Sequence, residues 1–518
     1  MHAIALAFTL VIALVLRLFR LSENPVSLNQ DEAVNGYDAY SLGLTMRDHH
    51  GNFLPPMLES FGDWASPTIT YLTVPFVKLF GLSEWAIRLP IALLGIATIV
   101  LIYIFTVQIF NRKKLGLLAA FLLTIMPWHI TLSRWAIPPC IVPFFLLLFA
   151  VAFLWAVDRK GRGLEFAIVG FLGAILTYAY PTQKMFVPLF LAAISWVYLR
   201  KHLVKGAIVW VTYLALVAPM HILSLSDPAR YNARFSQVSI ISPEYNAPTI
   251  VAKFVIRYIR YFSPDFNFGA VSYDFMHQVP SFGSTYEFLS IFFYLGILNC
   301  IYIVLGKEKL GLLTQKKGLF LLAWLLIAPI PASLTRESNH VLRMIHFLPL
   351  VIVFVILGMV TIVQAINNTQ LKKVLVAVIV ILGLFNTASF ANFYFRKYPD
   401  LSKEAFQYGI KDFMSYAIEH QDKFEKIVVD TEINQPYIYY LFHSKYDPRL
   451  INHDQVEQKN SIKTIGKYEF RKIVDRDLAN AQEIYKVEDT RRVLYRAFER
   501  DRILVIKKEP NGLASNRS

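Results

Sequence analysis

Apolar runs long enough to cross a bilayer recur along most of the chain. A spanning helix needs about 20 mostly apolar residues. Eleven segments approach that length: 3–20, 88–110, 115–132, 141–157, 165–181, 185–199, 206–222, 286–305, 318–334, 346–366 and 373–391. The pattern predicts a polytopic α-helical membrane protein with about 11 transmembrane helices. Residues 68–80 are too few for a span and carry Pro75 and Lys78. If they crossed, every later loop would change sides, so they read as an interfacial helix on the outer leaflet. Residues 247–262 place Val251, Phe254, Val255 and Ile259 at helical spacing and leave Lys253, Arg257 and Arg260 polar, which predicts a second surface helix. After Ala391 the hydropathy collapses. Residues 392–518 read as a small soluble α/β or α+β domain: a helix over 402–419, a strand over 426–430, a helix over 435–442 and a late strand over 502–507. No internal repeat or low-complexity linker interrupts the pattern.

Composition agrees with burial in lipid: of 518 residues 55% are hydrophobic and only 17% charged. The net charge of +15 raises nucleic acid as a partner, but the cations lie between apolar runs, as they do in the loops of membrane proteins. Five loops are basic: Arg112-Lys113-Lys114; Arg159-Lys160 with Arg162; Arg200-Lys201 with Lys205; Lys307 and Lys309 with Lys316-Lys317; and Lys372-Lys373. The positive-inside rule makes these cytoplasmic. The alternate loops then face outward, beginning with residues 21–87, which hold Glu23, Asp31, Glu32, Asp38, Asp48, Glu59, Asp63 and Glu84 against Arg47 and Lys78. The odd number of spans puts the soluble tail on the same outer side. Cys140 and Cys300 fall in apolar stretches without metal-ligand spacing and read as packing residues. The amino-terminal run lacks a small-residue cleavage site and ends in Arg17 and Arg20, so it reads as a retained first span.

The chemistry-bearing residues gather in the outward loops. Asn29-Gln30-Asp31-Glu32-Ala33-Val34-Asn35-Gly36-Tyr37 carries an acidic pair shortly after the first span. Adjacent carboxylates point in different directions, so one can meet substrate while its neighbour is held. Lowered solvation beside lipid would favour accepting a proton from a hydroxyl. A solvated helix N-terminus is the plain alternative. Cations stand at outer boundaries against the usual trend: Arg88 at the start of the second span, Arg134 in Ser133-Arg134-Trp135, Lys184 after Tyr178-Ala179-Tyr180, and His340 with Arg343 in a later loop. A bound lipid phosphate would explain them through charge-assisted hydrogen bonds, and headgroup snorkelling is the alternative.

The order of first span, Asp31-Glu32, Ser66-Pro67 running into Tyr71, Phe80-Gly81, Arg88-Leu89-Pro90, Ser133-Arg134 and His340-Val-Leu-Arg343-Met-Ile-His-Phe-Leu-Pro349 resembles integral-membrane GT-C-type glycosyltransferases. The likeness is to the protein O-mannosyltransferase and aminoarabinose-transferase kind, the glycosyltransferase family 39-like superfamily. It covers residues 1–391, making them the transmembrane glycosyltransferase domain and 392–518 the extracytoplasmic soluble domain. The resemblance implies a polyprenyl-phosphate-linked sugar donor and transfer outside the plasma membrane with inversion at the anomeric carbon. It implies Asp31 as catalytic base with Glu32 as partner, and Arg134 and Arg343 as holders of the donor phosphate. His340, Arg88 and Lys184 are further phosphate candidates, and Asp63, Tyr178 and Tyr180 are candidates to line the substrate. The chain departs from related transferases in reading Ala65-Ser66-Pro67-Thr68 where Lys-Pro-Pro is frequent, and Pro138-Pro139 where an Asp follows the arginine. Both departures argue against the lipid A subgroup and the protein mannosyltransferases proper.

The expected reaction is single displacement onto an acceptor hydroxyl of a protein, lipid or glycan, with no required cofactor, although Asp31 and Glu32 could hold a divalent cation. Membrane lipids are partners and nucleic acid is not. A transporter or flippase for a lipid-linked glycan is the main rival. It would need ionisable residues along a path through the bilayer and an inverted repeat, whereas here the charges collect on one face. A non-catalytic glycan-binding membrane scaffold is the third reading.

Overall fold

The computed structural model describes residues 2–269, 275–306, 311–337, 339–431, 433–451 and 464–473, together with the backbone of strands 495–500 and 503–508. Lys307 and Lys309, expected in a cytoplasmic loop, lie outside the described residues. The chain divides into two compact units: Met1–Leu21 with Ile91–Tyr398, and Ser22–Pro90 with Pro399–Ser518. Composition placed a boundary near 391; in the structure the last membrane helix runs on to Arg396, and the first loop groups with the tail.

The first unit is helical. Among the described residues seven helices are long and apolar enough to cross a membrane: Glu84–Phe110, Pro138–Asp158, Leu203–Ser226, Glu287–Val304, Gln315–Ser333, Val341–Ala365 and Thr369–Arg396. The chain is thus a multi-pass membrane protein. Three other expected spans are shorter apolar helices, His2–Leu18, Gly163–Ala179 and Gln183–Leu199. The eleventh, 115–132, is broken into Lys113–Ile125 and Pro127–Leu132 because Pro127 cannot continue the hydrogen-bond ladder. Phe105, Phe153, Phe190, Phe320 and Trp324 form a fully buried aromatic cluster. The tightest helix pair is Ser290–Val304 against Leu348–Ala365. There a Cβ on Gly296 would collide with the Phe354 carbonyl, and one on Gly358 with the Phe292 carbonyl. Reciprocal glycines let two backbones touch, the packing that lipid-embedded helices favour because burial of apolar surface gives them little.

The second unit combines loop and tail. Asn29 caps the Gln30–Thr45 helix, accepting from the Glu32 amide at 2.9 Å. Thr68–Phe80 is a helix, as expected of 68–80, and buries Ile69, Thr70, Thr73 and Val77. Between them β1 (Leu58–Ser60) and β2 (Asp63–Ala65) pair antiparallel around Phe61 and Gly62 at φ 50 and 85, the two positive-φ positions that a two-residue hairpin needs. The tail forms a five-stranded mixed sheet of β3 (Lys426–Val429), β4 (Thr464–Ile465), β5 (Tyr468–Phe470), β6 (Tyr495–Arg500) and β7 (Ile503–Lys508). Its order is β4-β5-β3-β7-β6, with β3 parallel to both neighbours. Helices Ile410–Glu419 and Pro436–Ser444 flank β3 in sequence. The expected helix over 402–419 begins only at Ile410, since Gln407 and Gly409 take positive φ and break the run.

Gly358→Leu should abolish recovery of monodisperse protein after detergent extraction, because the Phe292 backbone cannot give way. Gly383→Leu, where nothing lies within 4 Å of an added Cβ, should elute as wild type in the same size-exclusion run.

Candidate active site

In the loop and tail unit the acidic pair divides. Glu32 is fully buried and receives Arg88 in two parallel bonds, Nε to Oε1 at 2.8 Å and Nη2 to Oε2 at 3.0 Å. Arg88 Nη1 donates to the Pro25 carbonyl at 2.8 Å and Nη2 to that of Ser27 at 2.7 Å. A buried, bidentate, fully bonded pair of this kind fixes geometry, and removing one partner leaves an uncompensated charge at a cost of about 3–5 kcal/mol. Arg88 was expected to meet the donor phosphate; its guanidinium is turned inward instead, onto Glu32 and two carbonyls. Asp31, one residue earlier, is exposed in the first turn of the same capped helix, where the helix dipole favours its charge. The rest of the motif seats that helix. Asn35 Oδ1 accepts from Thr70 at 3.1 Å, Tyr37 donates to the Tyr446 carbonyl at 2.8 Å, and Gly36 admits Phe442 and Ile87, whose side chains would lie within 3 Å of an added Cβ. Asp63 is half-buried on β2 and accepts the Trp64 amide at 2.7 Å.

The membrane unit holds the remaining candidates. Arg134 is fully buried and donates through Nη1 to the carbonyls of Leu16 and Arg17 and through Nη2 to those of Phe19 and Arg20, at 2.7–3.2 Å. It caps the C-terminus of the His2–Leu18 helix, where Arg20 at φ 52 turns the chain, and its guanidinium lies over Tyr394 and Phe395. The Nη donors expected to grip phosphate are therefore spent on carbonyls. Arg343 fits that role better. Nη2 meets Glu337 at 2.8 Å, and Nη1 is buried with no hydrogen-bond partner among the described residues. His340 approaches the same Glu337 oxygen at 3.6 Å, and its ring lies tilted, centroid 4.7 Å from that of His277, itself 5.9 Å from Trp135. Lys184 lies 4.1 Å from the Tyr231 ring, and Tyr178 donates to the Leu216 carbonyl at 3.2 Å. Tyr180 is half-buried just after the Gly163–Ala179 helix. Arg343 and His340 thus come together, while Arg134, Lys184 and Tyr178 each serve separate contacts.

Sequence reasoning missed two constellations. Arg17, in the membrane unit, is fully buried; it caps the Leu123 and Thr124 carbonyls and approaches His129 Nδ1 at 2.6 Å. In the loop unit, His49 Nδ1 lies 2.6 Å from Asp38 Oδ1, both buried, and Asp48 accepts from the His50 and Asn52 amides. Burial opposes the His49 charge, but the Asp38 carboxylate and hydrogen bond, with Asp48 and Glu59, outweigh it and raise the imidazole above its usual value. Burial and the Asp38 charge push the Asp48 carboxyl up to about 6. No cluster of three or more His, Cys, Asp or Glu suited to a metal ion occurs among the described residues.

Residues 7–218 match the family model described as dolichyl-phosphate-mannose-protein mannosyltransferase. The chain is 26% identical over 155 residues to the putative mannosyltransferase YkcB of Bacillus subtilis (strain 168), covering 29% of this chain and 21% of that protein. It is 33% identical over 106 residues to an uncharacterized protein of Aquifex aeolicus (strain VF5), covering 20% and 21%. The matches thus span about a fifth of each curated relative's length. In structure it is similar to the archaeal oligosaccharyltransferase AglB of Archaeoglobus fulgidus, solved with an inhibitory peptide and a dolichol-phosphate. The TM-score is 0.53 at 14% identity, covering 86% of this chain and 63% of that one. It is also similar to ArnT of Cupriavidus metallidurans bound to undecaprenyl phosphate, with a TM-score of 0.52 at 12% identity, covering 94% and 96%. The fold is that of the GT-C membrane glycosyltransferases. The resemblance read from short motifs in the sequence, to the protein O-mannosyltransferase and aminoarabinose-transferase kind, holds.

The two shifts in the first loop make its stability pH-dependent. A histidine whose folded value is raised stabilises below its unfolded value, and that contribution fades as pH rises through the folded one. A carboxyl raised to about 6 costs stability above that point and relaxes on acidification. Thermal unfolding should therefore occur at a higher temperature at about pH 5.5 than at about pH 8. The combined His49→Gln and Asp48→Asn variant should flatten the difference.

Proposed function

We propose that this chain is an inverting glycosyltransferase that moves a sugar from a polyprenyl-phosphate donor to an acceptor hydroxyl on the extracytoplasmic face of the plasma membrane. The observation that carries the reading is the division of the acidic pair: an exposed Asp31 on a capped helix, beside a Glu32 immobilised by Arg88. Asp31 accepts the proton of the acceptor hydroxyl while that oxygen attacks the anomeric carbon from the side opposite the phosphate. The bond from that carbon to the phosphate oxygen breaks, and its electron pair leaves with the lipid phosphate. Glu32 and Arg88 are positioning residues that hold the helix start carrying the base. Arg343, with His340 beside it and Lys184 as a further cation, meets the charge of the departing phosphate; Arg134 acts by fixing the end of the first helix. Asp63, Tyr178 and Tyr180 line the substrate in this reading. Orientation and electrostatics supply most of the acceleration, and the soluble tail, grouped with the first loop, supports the acceptor side.

The reading predicts polyprenyl phosphate release when the purified full chain meets a panel of polyprenyl-phosphate sugars and a membrane extract as acceptor. Asp31→Asn should lower that release about 10²- to 10⁴-fold, the usual contribution of a general base. Unchanged release from Asp31→Asn would overturn the assignment.

A further inference from the structure

The Ala247–Arg260 helix is amphipathic the wrong way round for water. Its outward stripe is aliphatic: Val251 is 60% exposed, Val255 45%, Ile256 55% and Ile259 62%. Lys253, Phe254, Arg257 and Tyr258 are the half-buried side, and no residue of the helix is fully buried. That half is tied to the membrane unit. The Tyr258 hydroxyl donates to the Leu326 carbonyl at 2.7 Å and Arg257 Nη2 to the Arg336 carbonyl at 2.9 Å. Leu326 lies at the end of the Gln315–Ile327 helix opposite Lys316 and Lys317, so the amphipathic helix sits at the end of the spans away from a basic loop. A stripe of four exposed aliphatic side chains is stable there where it meets acyl chains.

Charge identifies the lipid. Residues 227–262 carry Arg230, Arg234, Lys253, Arg257 and Arg260 against Asp227 and Glu244, an excess of cations on the side where positive charge is ordinarily scarce. Lys253, Ile256, Arg257 and Arg260 line an open cleft of about 200 Å³ beside the aliphatic stripe. Lys253 Nζ lies 3.2 Å from the Tyr245 ring, which holds it in place, and Arg257 Nε is buried without a hydrogen-bond partner among the described residues. Cations bordering an apolar stripe match the headgroup and tails of an anionic lipid together. We propose that the Ala247–Arg260 helix is a docking surface for anionic glycerophospholipid of the leaflet it lies in. Its phosphate sits in the Lys253, Arg257 and Arg260 cleft, and its acyl chains lie along Val255, Ile256 and Ile259.

The test uses the full chain in phosphatidylcholine nanodiscs, with a fluorophore on Val255→Cys in a Cys140→Ser, Cys300→Ser background. Quenching by doxyl-labelled phosphatidylglycerol is compared with that by doxyl-labelled phosphatidylcholine. The docking surface predicts strong quenching by both and a clear preference for phosphatidylglycerol. Lys253→Gln, Arg257→Gln and Arg260→Gln together should cut that preference about 100-fold, roughly fivefold per cation. Arg112→Gln, Lys113→Gln and Lys114→Gln should leave it intact. Should the triple variant not fold, the exposed Arg260→Gln alone carries the test and should reduce the preference roughly fivefold. Equal quenching by the two headgroups, or quenching by aqueous iodide in place of lipid, would overturn the proposal. So would displacement by undecaprenyl phosphate but not by unlabelled phosphatidylglycerol, which would make the cleft a donor site. The readout is independent of transfer activity, so its failure and that of the proposed reaction are separable.

Discussion

A buried carboxylate and a buried guanidinium in one bidentate embrace organise the first loop of this protein. Glu32 and Arg88 satisfy each other and two carbonyls while both are fully buried, so neither can move without leaving an uncompensated charge. The consequence is directional. The helix that begins at Gln30 is anchored at its first turn, sealed along its length by Gly36, Asn35 and Tyr37, and presents Asp31 outward. An exposed carboxylate on a floppy loop would be ordinary; one on a helix start pinned by a buried ion pair is preorganised.

The same economy of buried cations recurs in the membrane unit, with a different partner. Arg17 and Arg134 each close the C-terminus of a helix, gathering carbonyls that lipid would leave unsatisfied. Arg343 contrasts with both, because only one of its terminal nitrogens has a hydrogen-bond partner among the described residues. Counting donors already spent separates arginines that build the fold from those able to meet a ligand.

Much of this was legible in the sequence. Hydropathy and basic loops reveal a polytopic protein, and the carboxylate pair on which the proposed chemistry rests stands out after the first span. The tail's strand at 426–429 and helix at 436–444 fall where local pattern predicts. What local pattern cannot reveal is which distant group a charge will choose. Arg88 finds Glu32 from 56 residues away, Arg134 finds the first helix from 117, and Asp38 meets His49 across a bend. Each arginine looked like a phosphate ligand because each stood at an outer boundary, and only the folded partners distinguish them. The helix expected from 402 failed for a local reason, since positive φ at Gln407 and Gly409 holds its first turns open.

The proposed reaction is direct attack by the acceptor with Asp31 taking its proton. The most direct measurement is the anomeric configuration of the transferred sugar, read by NMR on the product against the donor. Single displacement predicts inversion. Retention would mean attack from the phosphate's own face or passage through an intermediate held by the protein, and either would contradict the opposite-face attack in which Asp31 takes the proton.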